Sequence, residues 1–316
     1  MSRVVAAVFC CLALAGLAAA QQPGPAAKPR TWREQPLNDE LVRAAIKRGA
    51  DYLWSRQDKT DFHFEPQTMA EWKAWARDAK PPLPALSVGG LHGGFTALAL
   101  LGLVRSGANV QEERFDKALK WLIAQPMNQT YSRAMRAALL ASLPDARHYD
   151  KAMEADKEWL LRAMYADGTY GYFAPANETV RASPISGSFS SPSWRDVSNT
   201  QYGVLGLWLL SDAGCEIPEK RWKVVQKAFI SLQNKDGSWP YHATKANEDA
   251  SQSMTLAGVA SLYVVWDKTC TECNAQPTKD LVESINQGLG WLGRNFNPAA
   301  GGAKLVCLQE LFPGPY

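Results

Sequence analysis

The chain has 316 residues, enough for one large domain or two small ones, and 46% are hydrophobic, which provides for a sizeable core and excludes global disorder. Its net charge is +3 and no Lys/Arg block interrupts it, which excludes the electrostatic footprint of a nucleic-acid-binding protein. The 12 tryptophans must be buried or must line a cavity, because that much aromatic surface is not left in water without a purpose.

Residues 1–20 read as a signal peptide. Arg3 gives the positive end, residues 4–17 form a short apolar run, and Ala18, Ala19 and Ala20 supply the small side chains of a cleavage site. The run is too short to span a bilayer comfortably, so no transmembrane segment is expected after cleavage. Cys10 and Cys11 sit inside it and leave with the peptide. The chain is therefore expected to be exported, periplasmic or secreted. Residues 21–37, rich in Pro, Ala and Gln, read as a linker.

From Asn38 the pattern becomes helical. Five segments carry an aromatic residue followed by Leu or Ile, four of them with a nearby Gln or Asn: Tyr52-Leu53 with Gln57, Trp121-Leu122 with Gln125, Trp159-Leu160, Phe229-Ile230 with Gln233, and Trp291-Leu292 with Asn295. Each ends an amphipathic stretch. Leu41, Ile46, Ala50 and Leu53, for example, recur at spacings of three to five, which is one helical face. Between these segments lie others that are apolar nearly all round. Thr96, Thr200 and Thr255 take the same place in them, and six residues later come Gly102, Gly206 and Ser261, each followed by Leu. Residues 131–143 are a degenerate copy. An apolar helix must be buried, and small residues at matching places let its neighbours approach. The alternation of outer amphipathic and inner apolar helices at a period of roughly 40–65 residues predicts a helical-repeat architecture, which buries its core only by stacking. Long loops, 58–87 with Trp72 and Trp75 and 174–195 with Trp194, are expected at one rim.

After the outer helix ending at Phe229-Ile230 the chain reads Gln233-Asn234-Lys235-Asp236-Gly237-Ser238-Trp239. Gly237 permits a tight turn with positive φ, Trp239 can fold back over the helix end, and Gln233 can bond the carbonyls freed there. Asp167-Gly168-Thr169-Tyr170 is a weaker copy. The motif resembles the Q-x-x-x-G-x-W repeat of squalene and oxidosqualene cyclases. The alternating repeats resemble those of the cyclases and of protein prenyltransferase β subunits. The resemblance implies an all-α fold, an α/α toroid of outer and inner helix pairs over residues 38–298; an open helical solenoid is the alternative.

The resemblance also points to a site. Hopene-forming squalene cyclases carry D-x-D-D-T at the start of an inner helix, and its central acid protonates an alkene. Here the matching segment is Asp196-Val197-Ser198-Asn199-Thr200. Asp196 and Thr200 match, while Ser198 and Asn199 replace the two later acids, and neither a hydroxyl nor an amide can protonate an alkene. Prenyltransferase β subunits hold zinc with D-x-C and a His. Here Ser198 stands at the Cys position and Ser251 or Ser253 where a His is expected, so a zinc site is not implied. No cofactor or metal is expected.

Asp196 reads as a helix N-cap or as a carboxyl at the mouth of the cavity. His92 lies among glycines at 89–94, as a turn residue or a general base. Asp196 and His92 are the catalytic candidates. Tyr202, Trp239, His242 and Asp249 are the ligand-binding candidates, all expected on one rim, although Asp249 equally suits the following helix dipole. The ligand expected is an isoprenoid, a lipid or a glycan. The functional expectation is a ligand-binding or scaffold toroid that has lost cyclase chemistry; the alternatives are an enzyme acting on an isoprenoid or on a glycan in the cavity. Cys270 and Cys273 form a C-x-x-C without a preceding strand or a second pair, read as a disulfide or as free thiols. Residues 299–316 read as an irregular tail without the Thr/Gly pattern. The last outer helix then lacks an inner partner, an arrangement expected of a truncated or frame-shifted chain, whose open edge invites self-association.

Overall fold

A helix that is apolar on every side is stable only when other helices enclose it, and an amphipathic one needs a single apolar neighbour. The computed structural model describes residues 38–65, 92–173, 195–243, 250–271 and 275–295, and in them it realises both kinds. The amphipathic segments are α1 (Asp39–Arg56), α3 (Glu113–Ala124), α5 (Asp150–Ala163), α7 (Glu219–Leu232) and α9 (Lys279–Asn295). The interleaved helices are α2 (Gly94–Arg105), α4 (Thr130–Ala141), α6 (Val197–Asp212) and α8 (Gln252–Trp266). Two short strands, β1 (Tyr170–Gly171) and β2 (Arg195–Asp196), pair antiparallel with Tyr170 opposite Asp196. The chain is thus mostly helical, as its periodicity predicts.

The four interleaved helices pack in series, α2 on α4, α4 on α6 and α6 on α8. Helices α1 and α3 lie against α2, α5 lies against α4 and α6, and α7 and α9 lie against α8. The result is an inner and an outer layer. Phe115 and Leu122 of α3, Leu160 of α5, Phe229 of α7 and Leu281 of α9 enter the interface with inner residues such as Leu100, Leu139, Leu140 and Leu262. In α6 every residue from Val197 to Trp208 is buried. No helix among the described residues is long and apolar enough to cross a membrane. The signal-like segment 1–20, the linker 21–37, the tail 299–316 and Trp72, Trp75 and Trp194 lie outside the described residues.

One corner design joins an outer helix to the next inner one. Gly237 (φ 96°) and Gly168 (φ 89°) occupy the left-handed region in the turn, where a side chain is strained. The aromatic residue two places on then folds back. The Trp239 indole donates to the Phe229 carbonyl at 2.8 Å, and the Tyr170 hydroxyl donates to the Leu160 carbonyl at 3.0 Å. Each ring lies on an inner-helix glycine: a Cβ added at Gly258 would come within 2.3 Å of the Trp239 ring, and one at Gly203 within 2.6 Å of Tyr170. The repeated threonine completes the joint. Thr255 Oγ1 accepts the Trp239 N–H at 3.3 Å, Thr200 Oγ1 the Tyr170 N–H at 3.0 Å, and Thr96 Oγ1 the Phe64 N–H at 2.9 Å. Gln233 works differently from its expected role. It donates to the carbonyls of Gly237 (3.0 Å) and of Ser284 on α9 (2.9 Å), tying the turn to the next outer helix rather than to its own helix end.

A third copy of the corner follows α1. Gln57 donates to the carbonyls of Phe62 (2.8 Å) and Arg114 on α3 (3.0 Å), as Gln233 does to Gly237 and Ser284. Phe62 (φ 63°) holds the left-handed position that glycine takes elsewhere. One extra residue and the missing glycine hide this copy from the motif. The α3–α4 corner has no such turn. There the Arg136 guanidinium donates to the Leu122 carbonyl at 3.1 Å and is clamped by Asp156 of α5, fully buried, through contacts of 2.7 and 2.9 Å.

Candidate functional site

The extended backbone of β2 turns into α6 at Asp196, and three segments converge on that point. Asp196 lies opposite Tyr170 in the strand pair and opposite His242 in a bridge with the segment after α7. The Val197 N–H donates to the Tyr241 carbonyl at 2.8 Å, and the Thr130 N–H at the start of α4 donates to the Tyr172 carbonyl at 3.0 Å. The strand pair therefore draws the N-termini of α4 and α6 together, with the segments after β1 and α7.

Asp196 is 2% exposed and caps α6. One carboxylate oxygen accepts the Asn199 N–H at 2.5 Å, the other accepts from the Asn199 side-chain amide at 2.8 Å, and the Asp196 carbonyl accepts from Thr200 Oγ1 at 2.7 Å. Burial pushes the carboxyl up to about 7, while the Asn199 and Ser198 hydrogen bonds pull the other way. Among the described residues no Lys, Arg or His side chain forms an ion pair with it. The neighbouring Arg195 guanidinium is held by Asp167 and by Thr169 Oγ1 at 3.1 Å.

Tyrosines surround this carboxyl. Tyr131 of α4 shares a 2.7 Å hydrogen bond with Ser198, and its ring stands 4.5 Å from Tyr202 and 5.9 Å from Tyr172. The Tyr172 and Tyr241 hydroxyls are 3.4 Å apart. Burial, with the Asp196 charge second, raises the pKa of Tyr131, Tyr172 and Tyr241, so all three stay neutral hydroxyls at physiological pH. Asn199 Oδ1 is buried and has no hydrogen-bond partner. Of the residues singled out in the sequence, the structure thus gathers Asp196 and Tyr202 here. The sequence pattern gave no sign of Tyr131, Tyr172 and Tyr241, because they come from three separate segments. His242 lies beside the cluster, exposed, with its ring edge-on to Tyr241 at 5.1 Å. Trp239 is wholly buried and serves the repeat corner. Asp249 lies outside the described residues.

His92 belongs to a different corner. It is exposed, bonds Gln125 at 2.9 Å and stands edge-on to Trp121, with His63 against the same indole at 4.8 Å. Glu65 accepts the Thr96 N–H there at 2.9 Å, and burial raises its pKa. None of these contacts reaches the tyrosine cluster, so the predicted convergence of His92 with Asp196 does not appear in the contacts of either residue. In the adjoining turn Asp58, Asp61 and His63 offer ligand atoms within 4.8 Å of one another. Asp58 Oδ1 already accepts the N–H groups of Thr60 and Asp61, and His63 Nδ1 that of Glu65, so turn geometry accounts for two of the three. Among the described residues Cys215 and Cys270 are buried and form no disulfide with each other; Cys273 lies outside the described residues.

No family model matches this chain, and no curated protein matches it in sequence.

Proposed function

We propose that this chain is an exported helical-repeat protein of the squalene cyclase and prenyltransferase β-subunit kind, its helix pairs arranged as an α/α toroid, which binds a small ligand at the α6 corner without catalysing either family's reaction. The single observation that carries the ligand site is the buried Asp196 carboxyl, with no ion-pairing side chain among the described residues and walled by tyrosines. Capping alone does not account for it, because the α8 corner is capped by a neutral Ser251, which accepts the Met254 N–H at 3.1 Å. A buried carboxyl costs far more than a buried hydroxyl.

Against alkene protonation stand Ser198 and Asn199 where a second and third acid would strengthen Asp196. Against glycoside hydrolysis stands the need for two carboxyls flanking one bond. Among the described residues, the groups that contact Asp196 or wall it are Ser198, Asn199, Thr200 and tyrosines. The two-layer packing and the corner built three times support the toroid reading, and residues 1–20 support export.

Thermal-shift and calorimetric panels of glycans, isoprenoid alcohols, isoprenoid diphosphates and lipid headgroup analogues test the proposal on the wild type, Asp196→Ser and His92→Ala. A ligand lost in Asp196→Ser and kept in His92→Ala supports it. Turnover of an isoprenoid or glycan, or no ligand in any class, overturns it.

A further inference from the structure

Two acceptors stand out at the α6 corner among the described residues. One Asn199 side-chain N–H is taken by Asp196, and the amide Oδ1, wholly enclosed in the same first turn, has no partner. The same amide borders Tyr172. The Asp196 carboxyl is buried and no described cation ion-pairs with it; the nearest in sequence, Arg195, is committed to Asp167. Around these oxygens stand the rings of Tyr131, Tyr172, Tyr202 and Tyr241, whose faces carry negative quadrupole density. A phosphate or carboxylate ligand would bring charge of the wrong sign. A neutral polyol would satisfy the acceptors but give the ionised form of Asp196 no counter-charge. A positively charged head group meets the carboxylate, the amide oxygen and the ring faces at once.

Resting on the ligand-site reading above, we infer that the α6 corner takes an organic cation, an amine or quaternary ammonium group, with Asp196 as counter-ion and the tyrosines as its aromatic wall. Tyr241, 39% exposed, is the most open of the four tyrosines and so the point of entry.

A proton linkage follows. Burial holds Asp196 partly protonated near neutrality, and a bound cation favours its ionised form. Binding therefore releases a proton below about pH 7 and tightens as pH rises through that value. Among the described residues, the groups facing Asp196 from the packed elements are Tyr131 of α4, Tyr172 beyond β1 and Tyr241 beyond α7, all neutral in this range, with Arg195 and His242 on the adjoining strands.

The test is calorimetry on the full chain with choline, with the neutral analogue in which carbon replaces the nitrogen, and with methyl glucoside. Choline is expected to bind at least about tenfold more tightly than its carbon analogue, a difference of one decade in Kd. Its affinity should rise about tenfold between about pH 6 and about pH 8, with a buffer-dependent heat at the lower pH that reports proton release. Asp196→Ser should lower choline to the level of the analogue, and Tyr241→Ala, at an exposed position, should weaken it while far-UV circular dichroism stays unchanged. Equal binding of choline and its analogue overturns the inference, as does an absence of choline binding. Binding of methyl glucoside alone, lost in Asp196→Ser, overturns the cation assignment and leaves the ligand site standing.

Discussion

At the start of α6 the capping residue is Asp196, and at the start of α8 it is Ser251, yet the parts around the two are the same. In both, an aromatic residue from a glycine turn closes over an inner-helix glycine, and its N–H is accepted by the fourth helical residue, Thr200 or Thr255. In both, that threonine donates to the carbonyl of the capping residue, at 2.7 Å and 2.9 Å. What differs is the cap, its burial and its company. Ser251 is half-buried and bonds Ser253, whereas Asp196 is enclosed by tyrosines. A repeat therefore provides its own control: what the two corners share is scaffold, and what only one has calls for another explanation.

Removing the shared parts should hurt both corners alike. Trp239→Ala and Tyr170→Ala each strip a fully buried aromatic ring from the layer interface, and each is expected to cost about 3–5 kcal/mol in chemical denaturation. A loss confined to one of them would break the equivalence.

Next in size is an effect that only the α6 corner should show. Burial raises Asp196 above its unfolded value, so between about pH 4 and about pH 7 the folded chain holds a proton that the unfolded chain has released. Asp196 then stabilises the fold fully below that window and progressively less as pH climbs through it, by on the order of 4 kcal/mol in total. Asn caps helices as well as Asp does, so Asp196→Asn should fold and should flatten the slope. Ser251→Ala should leave the slope of the wild type in place.

Smaller again, Thr200→Val and Thr255→Val each leave a buried N–H and a cap carbonyl short of a partner, for about 1–3 kcal/mol. The smallest expected loss is that of Ser251→Ala, about 1 kcal/mol from a missing cap, read from the same denaturation curves. If Thr200→Val costs several times more than Thr255→Val, the two corners are not the equivalents described.

The alternation of helices was legible in the sequence because amphipathic and wholly apolar segments differ in composition, and Thr96, Thr200 and Thr255 stood out because each performs the same task. Gly237 and Gly168 were legible because a left-handed turn leaves few other choices. Phe62 was not: it takes that conformation at a cost of about 1–2 kcal/mol, offset by its packing against the core and by Lys117 above its ring at 4.5 Å. Nor was the Arg136–Asp156 clamp, since a charged pair in two helices reads as solvated surface until both are seen buried. Of the site, Asp196 and Tyr202 were found from their place at the start of an inner helix. Tyr131, Tyr172 and Tyr241 were not, because a strand pair of two residues each gathers them and so short a pairing leaves no periodic trace. His92 shows the converse: its glycine-rich setting suggested chemistry, and its contacts place it at another corner with Gln125 and Trp121.

The claim on which the rest depends is that Asp196 is a buried carboxyl with no cation among the described residues to ionise it. Infrared difference spectra of the wild type against Asp196→Asn, followed through a pH titration, observe that carboxyl directly. The protonated-acid carbonyl band missing from the variant should persist in the wild type to a midpoint near about pH 7. A midpoint at about pH 4, where an ordinary exposed aspartate titrates, would contradict the account.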